Sequence, residues 1–276
     1  MKLLSKKNRY FAGFGAGGGL LSALLWAFVG SQNPMASWVV TGALDSALIG
    51  VLLIIAQDRY LARGLSYRAL AKATVLGLPL GALGGFLAIT AGFGIAGALG
   101  MSSETGRLIG WAISGGVAGF VASLGVPNLK RKVAIIAGGV GGALGCQLMY
   151  LIGSYEIGVA VTGAAIGVMV AVAEAAFRKA WIEVDIRPVA TGGIALAKSR
   201  HVTLTLGDRP IVFGAAAGAD VLLDKASGVP AEAAVLTLDG GHVVFKDLTK
   251  GTRETYRDGA RFDFFNASVA VALKAA

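Results

Sequence analysis

Apolar residues in the first two thirds of the chain form six long, nearly continuous runs separated by short polar links. Each run has about 20 residues, the length that an α-helix needs to cross the hydrocarbon core of a bilayer. The pattern therefore predicts a membrane α-helical bundle of six transmembrane helices. The predicted spans cover residues 10–29, 36–57, 73–94, 108–126, 133–152 and 157–177.

Beyond Trp181 the pattern changes to an alternation with period two, in short runs rich in β-forming residues. Turn signals such as Asp239-Gly240-Gly241 separate these runs, which is typical of antiparallel strands. The last 90 or so residues thus predict an all-β sandwich. The chain divides into residues 1–181 and residues 182–276. Strands are expected at Val202–Leu206, Ile211–Phe213, Val221–Leu223, Ala233–Leu238, His242–Asp247 and Ala260–Phe265.

Glycines recur within the apolar runs at a spacing that places them on one helix face, where a neighbouring helix can approach closely. In the fifth run, the glycines with this spacing are at positions 138, 142 and 145. A segment of the third run matches this stretch without a gap, 61 positions earlier. A fainter copy begins at Gly15. The even-numbered runs carry small residues four positions apart. The predicted helix-packing glycines are Gly77, Gly81, Gly84, Gly138, Gly142, Gly145, Gly42, Gly115, Gly119, Gly163 and Gly167.

These copies predict three helical hairpins, formed by runs 1–2, 3–4 and 5–6. Each hairpin leaves the membrane on the side it entered, so the copies are parallel repeats with approximate threefold symmetry. The alternative is convergence, because unrelated helices rich in glycine and alanine also look alike.

The charges are unevenly distributed along the chain. Only 15% of the residues are charged, against about 25% in a soluble domain. The net charge of +9 belongs to residues 1–181, which argues against a nucleic-acid-binding domain. Thirteen Lys and Arg residues lie at the N-terminus, in the second and fourth links and after the sixth run, whereas the opposite links hold only Arg107. This asymmetry predicts a multi-pass protein of the bacterial inner membrane with both termini cytoplasmic.

Two carboxylates fall within the predicted spans. Glu174 lies in the last turn of the sixth span, four residues before Arg178, and is expected to reach toward the cytoplasm. Asp45 lies near the middle of the second span, where an ionised group is costly. It is a candidate ion or proton site, and equally a packing carboxyl that is protonated or hydrogen-bonded to Thr41, Ser46 or a polar group such as Gln147. The other two repeats place Ala118 and Ile166 near the aligned position.

The C-terminal third resembles a forkhead-associated (FHA) domain. The residues that carry the resemblance are Leu206–Gly214 and Ala219–Leu223 at its opening, Asp239–Leu248 with Gly251-Thr252 in its second half, and Arg257–Phe262 at its close. The resemblance implies a β-sandwich that binds phosphothreonine through an Arg, a Ser and an Asn. This chain has Ala215, Pro230 and Lys250 at those positions, so we expect a degenerate domain that docks proteins without a phosphate. Lys225, Lys250 and Arg253 are candidates for a substitute anion site.

These observations favour an anchor or scaffold over an enzyme. With two histidines and one cysteine, the chain has no metal cluster of the usual spacing, and we expect no cofactor. The expected partners are the lipid bilayer and a cytoplasmic or membrane protein, with no nucleic acid; a second copy of the chain is a further candidate. The alternative function is a channel or transporter for an ion or small solute, using the glycine-rich bundle and Asp45.

Overall fold

The computed structural model describes residues 6–30, 32–61, 64–177, 180–188, 199–207 and 209–273. The chain forms two compact units. Unit 1 comprises Met1–Gln57 and Ser66–Ala176, and unit 2 comprises Asp58–Leu65 and Phe177–Ala276. The predicted boundary at 181/182 was drawn from composition alone, which gives no sign that residues 58–65 belong with the C-terminal unit.

The described part of unit 1 has six long helices that correspond to the six apolar runs. They are α1 (Lys6–Val29), α2 (Pro34–Tyr60), α3 (Tyr67–Ala98), α4 (Ser103–Ser123), α5 (Arg131–Ile152) and α6 (Tyr155–Phe177). Within the described residues, five of them are long and apolar enough to cross a membrane: α1, α2, α3, α5 and α6. Helix α4 falls short because Glu104, Arg107 and a series of glycines and serines lower its hydropathy.

Glycine pairs join neighbouring hairpins at three equivalent places. In each pair, a Cβ added to either glycine would collide with the carbonyl oxygen of the other, so the two backbones are in direct contact. No larger residue fits at such a crossing. The pairs are Gly15 with Gly163 (α1 and α6), Gly42 with Gly81 (α2 and α3) and Gly115 with Gly138 (α4 and α5).

Contacts within the hairpins close the ring of helices. Gly18 lies against Ile49, Gly84 against Val117 and Gly141 against Ile166. Each helix therefore contacts the one before it and the one after it, and α6 returns to α1.

The residues that occupy equivalent places at the helix crossings are not the ones that the sequence repeat aligns. The two alignments differ by four residues, about one helical turn. Alignment without gaps pairs Gly77 with Gly138, but Gly81 is the residue that occupies the place of Gly138 at a helix crossing. A Cβ added to Gly77 would instead lie 3.1 Å from Ala47 Cα. Repeating glycines in one helix make neighbouring turns look alike, so the sequence identified the face but not the register.

The even-numbered helices form the inside of the bundle. In the most apolar 18-residue stretch of each helix, half of the residues are buried in α2 and α6, compared with 28–33% in α1, α3 and α5. Helix α2 also contacts both other even-numbered helices, through Gly50 with Val121 and Leu53 with Gly167. The core between them is apolar and contains Ile49, Leu53, Ala118, Ile166 and Val170.

The described residues of unit 2 form nine strands. They are β1 (Ala180–Ile186), β2 (Arg200–Leu206), β3 (Ile211–Gly214), β4 (Val221–Leu222), β5 (Ala234–Asp239), β6 (His242–Asp247), β7 (Thr252–Tyr256), β8 (Arg261–Phe264) and β9 (Ala267–Leu273). A four-stranded sheet has the order β2-β1-β9-β8, and a five-stranded sheet has the order β4-β3-β5-β6-β7. Among the strand pairs of the described ranges, only β3 and β4 are parallel.

Aromatic side chains fill the space between the two sheets. Phe213 and Phe245 of the five-stranded sheet contact Phe264 of the four-stranded sheet, with ring centroids 6.2 and 5.0 Å from it. The sheets therefore face each other, and the prediction of a helical part followed by a β-rich part is confirmed.

Three strands were not predicted from the sequence. The strand prediction omitted β1, whose first residues precede the assumed boundary. It also omitted β7, whose residues Thr252–Glu254 are exposed and polar, as is usual on a sheet edge. Strand β9 was missed because alanine, a weak strand former, makes up three of its seven residues.

Candidate functional site

The register of the five-stranded sheet brings three loops to one end of the sandwich. Phe213 pairs with Ala234, Ala234 pairs with Asp247, and Asp247 pairs with Thr252. The loop after β3, the loop before β5 and the turn after β6 therefore start from one row across the sheet. These loops hold Ala215, Pro230 and Lys250, the three positions that the resemblance noted in the sequence assigns to a phosphopeptide site.

Ala215 and Pro230 are in direct backbone contact. The Ala215 N–H donates to the Pro230 carbonyl at 2.9 Å, and the Ala216 N–H donates to the Ala231 carbonyl at 3.0 Å. A Cβ on the preceding Gly214 would collide with that Ala231 carbonyl, so this close approach requires glycine. Ala215 is buried and Pro230 is exposed, and neither side chain offers a hydrogen-bond donor.

Lys250 lies in a turn held by the Asp247 carboxylate. Oδ1 of Asp247 accepts from the Thr249 N–H at 2.8 Å, the Thr249 hydroxyl at 2.6 Å and the Lys250 N–H at 3.1 Å. Burial raises the pKa of Asp247, but these hydrogen bonds and the nearby Lys250 charge outweigh it and hold the pKa below its ordinary value of 3.8. The turn therefore presents Lys250, which is exposed, at the end of the sandwich.

A cleft of about 700 Å³ lies at the same end, between the two sheets. Arg187 and Arg200 line it from the four-stranded sheet, and Ala215 and Lys225 line it from the five-stranded side. Asp224 is the acidic residue in its wall. The sequence analysis had singled out Lys225 but not the two arginines. They become neighbours only because Ile186 pairs with Arg200 across β1 and β2, which no local motif signals.

The cations of the cleft differ in how firmly they are held. Arg200 is half-buried and donates from Nη2 to the Leu222 carbonyl at 2.8 Å. Its burial lowers the pKa of the guanidinium, and Asp224 opposes that shift. Arg187 is exposed and pairs with Asp263 at 3.5 Å. Arg253, the third member of the predicted anion site, is exposed on β7 and pairs with Asp239 at 3.5 Å.

In unit 1, Asp45 is buried between helices and is only 5% exposed. It hydrogen-bonds with Ser22 of α1, and its Oδ1 has no hydrogen-bond partner among the described residues. Thr41, one turn before it on α2, hydrogen-bonds with Tyr155 of α6. The sequence analysis predicted the burial of Asp45 but named Thr41, Ser46 or Gln147 as its partner and missed Ser22.

The residues equivalent to Asp45 in the other inner helices are apolar. Ala118 and Ile166 each follow a paired glycine by three residues, as Asp45 does, and both are buried. The bundle therefore contains one carboxyl among three equivalent positions.

Glu174 forms a buried ion pair. Its Oε2 lies 3.0 Å from Nζ of Lys7, and the two side chains are 3% and 9% exposed. Its predicted neighbour Arg178 lies outside the described residues. The sequence analysis counted Lys7 only among the basic residues of the N-terminus, and the separation of 167 positions between the partners gave no signal of their contact.

The described residues contain no group of three or more His, Cys, Asp or Glu side chains that could hold a metal ion. Comparison of the chain with protein-family models, with curated proteins and with solved structures finds no match to any of them.

Proposed function

We propose that this chain is a membrane-embedded anchor whose β-sandwich, a degenerate FHA-like domain, docks a protein partner in the cytoplasm. The proposal includes six membrane crossings with both termini on the cytoplasmic side of a bacterial inner membrane. Its support is the set of five helices suited to crossing a membrane and the thirteen basic residues on one side of the predicted topology against one on the other.

The observation that carries the docking proposal is the convergence at one end of the sandwich. The loops of Ala215, Pro230 and Lys250 meet there, and the cleft beside them carries Arg187, Arg200 and Lys225. Among the described residues that line the cleft, these three cations outnumber the one acid, Asp224. An acidic segment of a partner protein complements this surface, because opposite charges across an interface steer association and set its register.

Photo-crosslinking tests the docking proposal on the full chain in lipid nanodiscs. A photoreactive residue replaces Lys225 in one variant and His242 in a second. His242 is exposed and begins β6 at the end opposite Asp247, so it serves as the control. We expect one discrete adduct at position 225 that maps to an acidic peptide and is lost in Lys250→Glu. Equal adducts at both positions, or none at 225, contradict the proposal.

A second measurement tests the degenerate character of the domain. Ala215 and Pro230 have no side-chain donor, and Lys250 acts as a point charge without the bidentate grip of arginine. We expect the full chain to bind phosphothreonine peptides no better than their unphosphorylated forms at about 0.15 M salt. Fluorescence polarisation measures the two affinities. Micromolar binding that disappears on dephosphorylation would show a working phosphopeptide site.

The second candidate function is transport of an ion or proton, and Asp45 is the observation that favours it. Burying a carboxyl inside a membrane bundle costs free energy, and one oxygen of Asp45 has no hydrogen-bond partner among the described residues to offset that cost. A carboxyl kept at such a position is therefore a candidate for function. The apolar core formed by Leu53, Ile166 and Val170 closes the interior beyond it, so transport requires the inner helices to move. Proteoliposome flux that falls in Asp45→Asn but not in the exposed-acid control Glu104→Gln supports transport. Absence of flux in the wild type removes this candidate.

A further inference from the structure

A groove on the outside of unit 1 runs along one face of α1, beginning at the first described turn of that helix. Lys6, Arg9, Gly13 and Gly17 line it together with Tyr10, Phe14 and Leu52 of α2, and its volume is about 710 Å³. The residues from α1 are three or four positions apart, so they form a single stripe along the helix.

The groove has a charged mouth and an apolar floor. Lys6 and Arg9 are exposed at the mouth, and within the described ranges neither forms an ion pair with a carboxylate. Lys7, between them, faces the bundle interior and pairs with Glu174. Two cations are thus held at the helix end on the face that carries the groove.

Glycines keep the apolar part of the groove open. An added Cβ at Gly13 would meet no atom within 4 Å, and one at Gly17 would meet only Leu52 Cδ1, at 3.5 Å. Tyr10 and Phe14 form the wall, with stacked rings 6.4 Å apart at an interplanar angle of 7°. Both rings also pack against the core of the bundle, which fixes the wall in place.

The length of the groove matches one leaflet of a membrane. From Lys6 to Gly17 the helix rises about 16 Å at 1.5 Å per residue, roughly half of the 30 Å hydrocarbon core. A headgroup held at the mouth would therefore send one acyl chain along the glycines as far as the bilayer midplane. Basic pockets at the cytoplasmic side of membrane helices bind the phosphates of anionic lipids in this way.

We propose that this groove is a binding site for an anionic phospholipid. The headgroup phosphate lies between Lys6 and Arg9, and one acyl chain packs over Gly13 and Gly17 against Leu52. The charge at the mouth selects an acidic headgroup over a zwitterionic one, and the open glycines provide the room for the chain.

Native mass spectrometry of the full chain in detergent tests the proposal, with phosphatidylglycerol and phosphatidylcholine as probes. Each basic residue near an anionic lipid contributes about 1 kcal/mol, so two correspond to a preference for phosphatidylglycerol of roughly 30-fold. The double variant Lys6→Gln/Arg9→Gln is expected to lose this preference. Gly13→Phe keeps both charges but fills the groove, and it is expected to lower the binding of either lipid.

Matched controls separate a site from general surface charge. Arg68→Gln/Lys72→Gln removes two exposed cations from α3, and Gly97→Phe adds the same ring at another glycine with open space around it. Both controls should bind lipid like the wild type, and circular dichroism checks that every variant remains folded. Equal affinity for the two lipids, equal losses in the control pair, or displacement of phosphatidylglycerol by millimolar inorganic phosphate would each overturn the proposal.

Discussion

At the scale of single residues, Asp247 is the side chain whose role is most sharply defined, because three donors converge on one of its oxygens. We expect Asp247→Asn to destabilise unit 2 by about 1–3 kcal/mol, because the amide oxygen keeps the acceptor position but loses the negative charge that strengthens these hydrogen bonds. Chemical unfolding of the full chain in detergent at pH 7 measures the loss. The signal is the fluorescence of Trp181 in a background in which Trp26, Trp38 and Trp111 are replaced by Phe.

The pH dependence of this loss has a definite sign. The folded pKa of Asp247 lies below its ordinary value of 3.8, so the ionised carboxylate stabilises the fold above that pH and the contribution disappears as the pH falls through the lower folded pKa. The difference between wild type and Asp247→Asn should therefore narrow below pH 3.8. Asp263→Asn, at a side chain that is 67% exposed, serves as the control and should change little at any pH. A difference that stays constant down to pH 2 would contradict the assignment.

The sequence predicted the burial of a residue where its own position in an apolar run was informative. It did not predict contacts between residues that are far apart in the chain. A carboxylate in the middle of an apolar run identified Asp45 as buried. Its contact with Ser22, and that of Lys7 with Glu174, depend on which helix faces are neighbours, and the sequence does not contain this information in a local form.

At the scale of elements, the contact between α4 and α5 gives the clearest test of close helix packing. A Cβ at Gly142 would collide with the Trp111 carbonyl. We expect Gly142→Ala to lower the stability of unit 1 by about 2 kcal/mol or more, because a rigid backbone has to move to admit the methyl group. Thermal unfolding in detergent, followed by circular dichroism, measures the change.

Gly97→Ala is the matched control for this substitution, since an added Cβ there meets nothing within 4 Å. It should be neutral or slightly stabilising, because alanine favours a helix over glycine. Gly153 is unsuitable as a control because its φ of +73° strains any other residue. Equal unfolding temperatures for the two variants would show that the α4–α5 crossing tolerates expansion. Helix positions were thus predictable from hydropathy, whereas the crossing register required the structure.

At the scale of the whole molecule, the proposed topology predicts which links face each side of the membrane. In a Cys146→Ala background, single cysteines at Gln32 and Ser103 should react with an impermeant thiol reagent added outside, because their links lack the cytoplasmic excess of basic residues. Cysteines at Tyr67 and Lys130 should react only after the membrane is opened. All of these positions are exposed, so labelling reports sidedness and not burial. The reverse labelling pattern would exclude the proposed orientation.

The whole-molecule features that the sequence did not predict share one cause. The cleft at the end of the sandwich and the groove along α1 are both built from segments that meet only after folding, through strand register in one case and helix contact in the other. Composition and periodicity identified the two structural classes because each class depends on a local repeat.

Unit 2 is built from two separate parts of the chain. Thr203 N–H donates to the Tyr60 hydroxyl at 3.3 Å, and Gly64 lies against Ala217. During synthesis, residues 58–65 leave the ribosome more than a hundred residues before Phe177, a delay of roughly 5–20 s at ordinary elongation rates. The C-terminal sheets therefore cannot reach their final state ahead of the helices, and a fragment that starts after the last helix lacks part of its own fold.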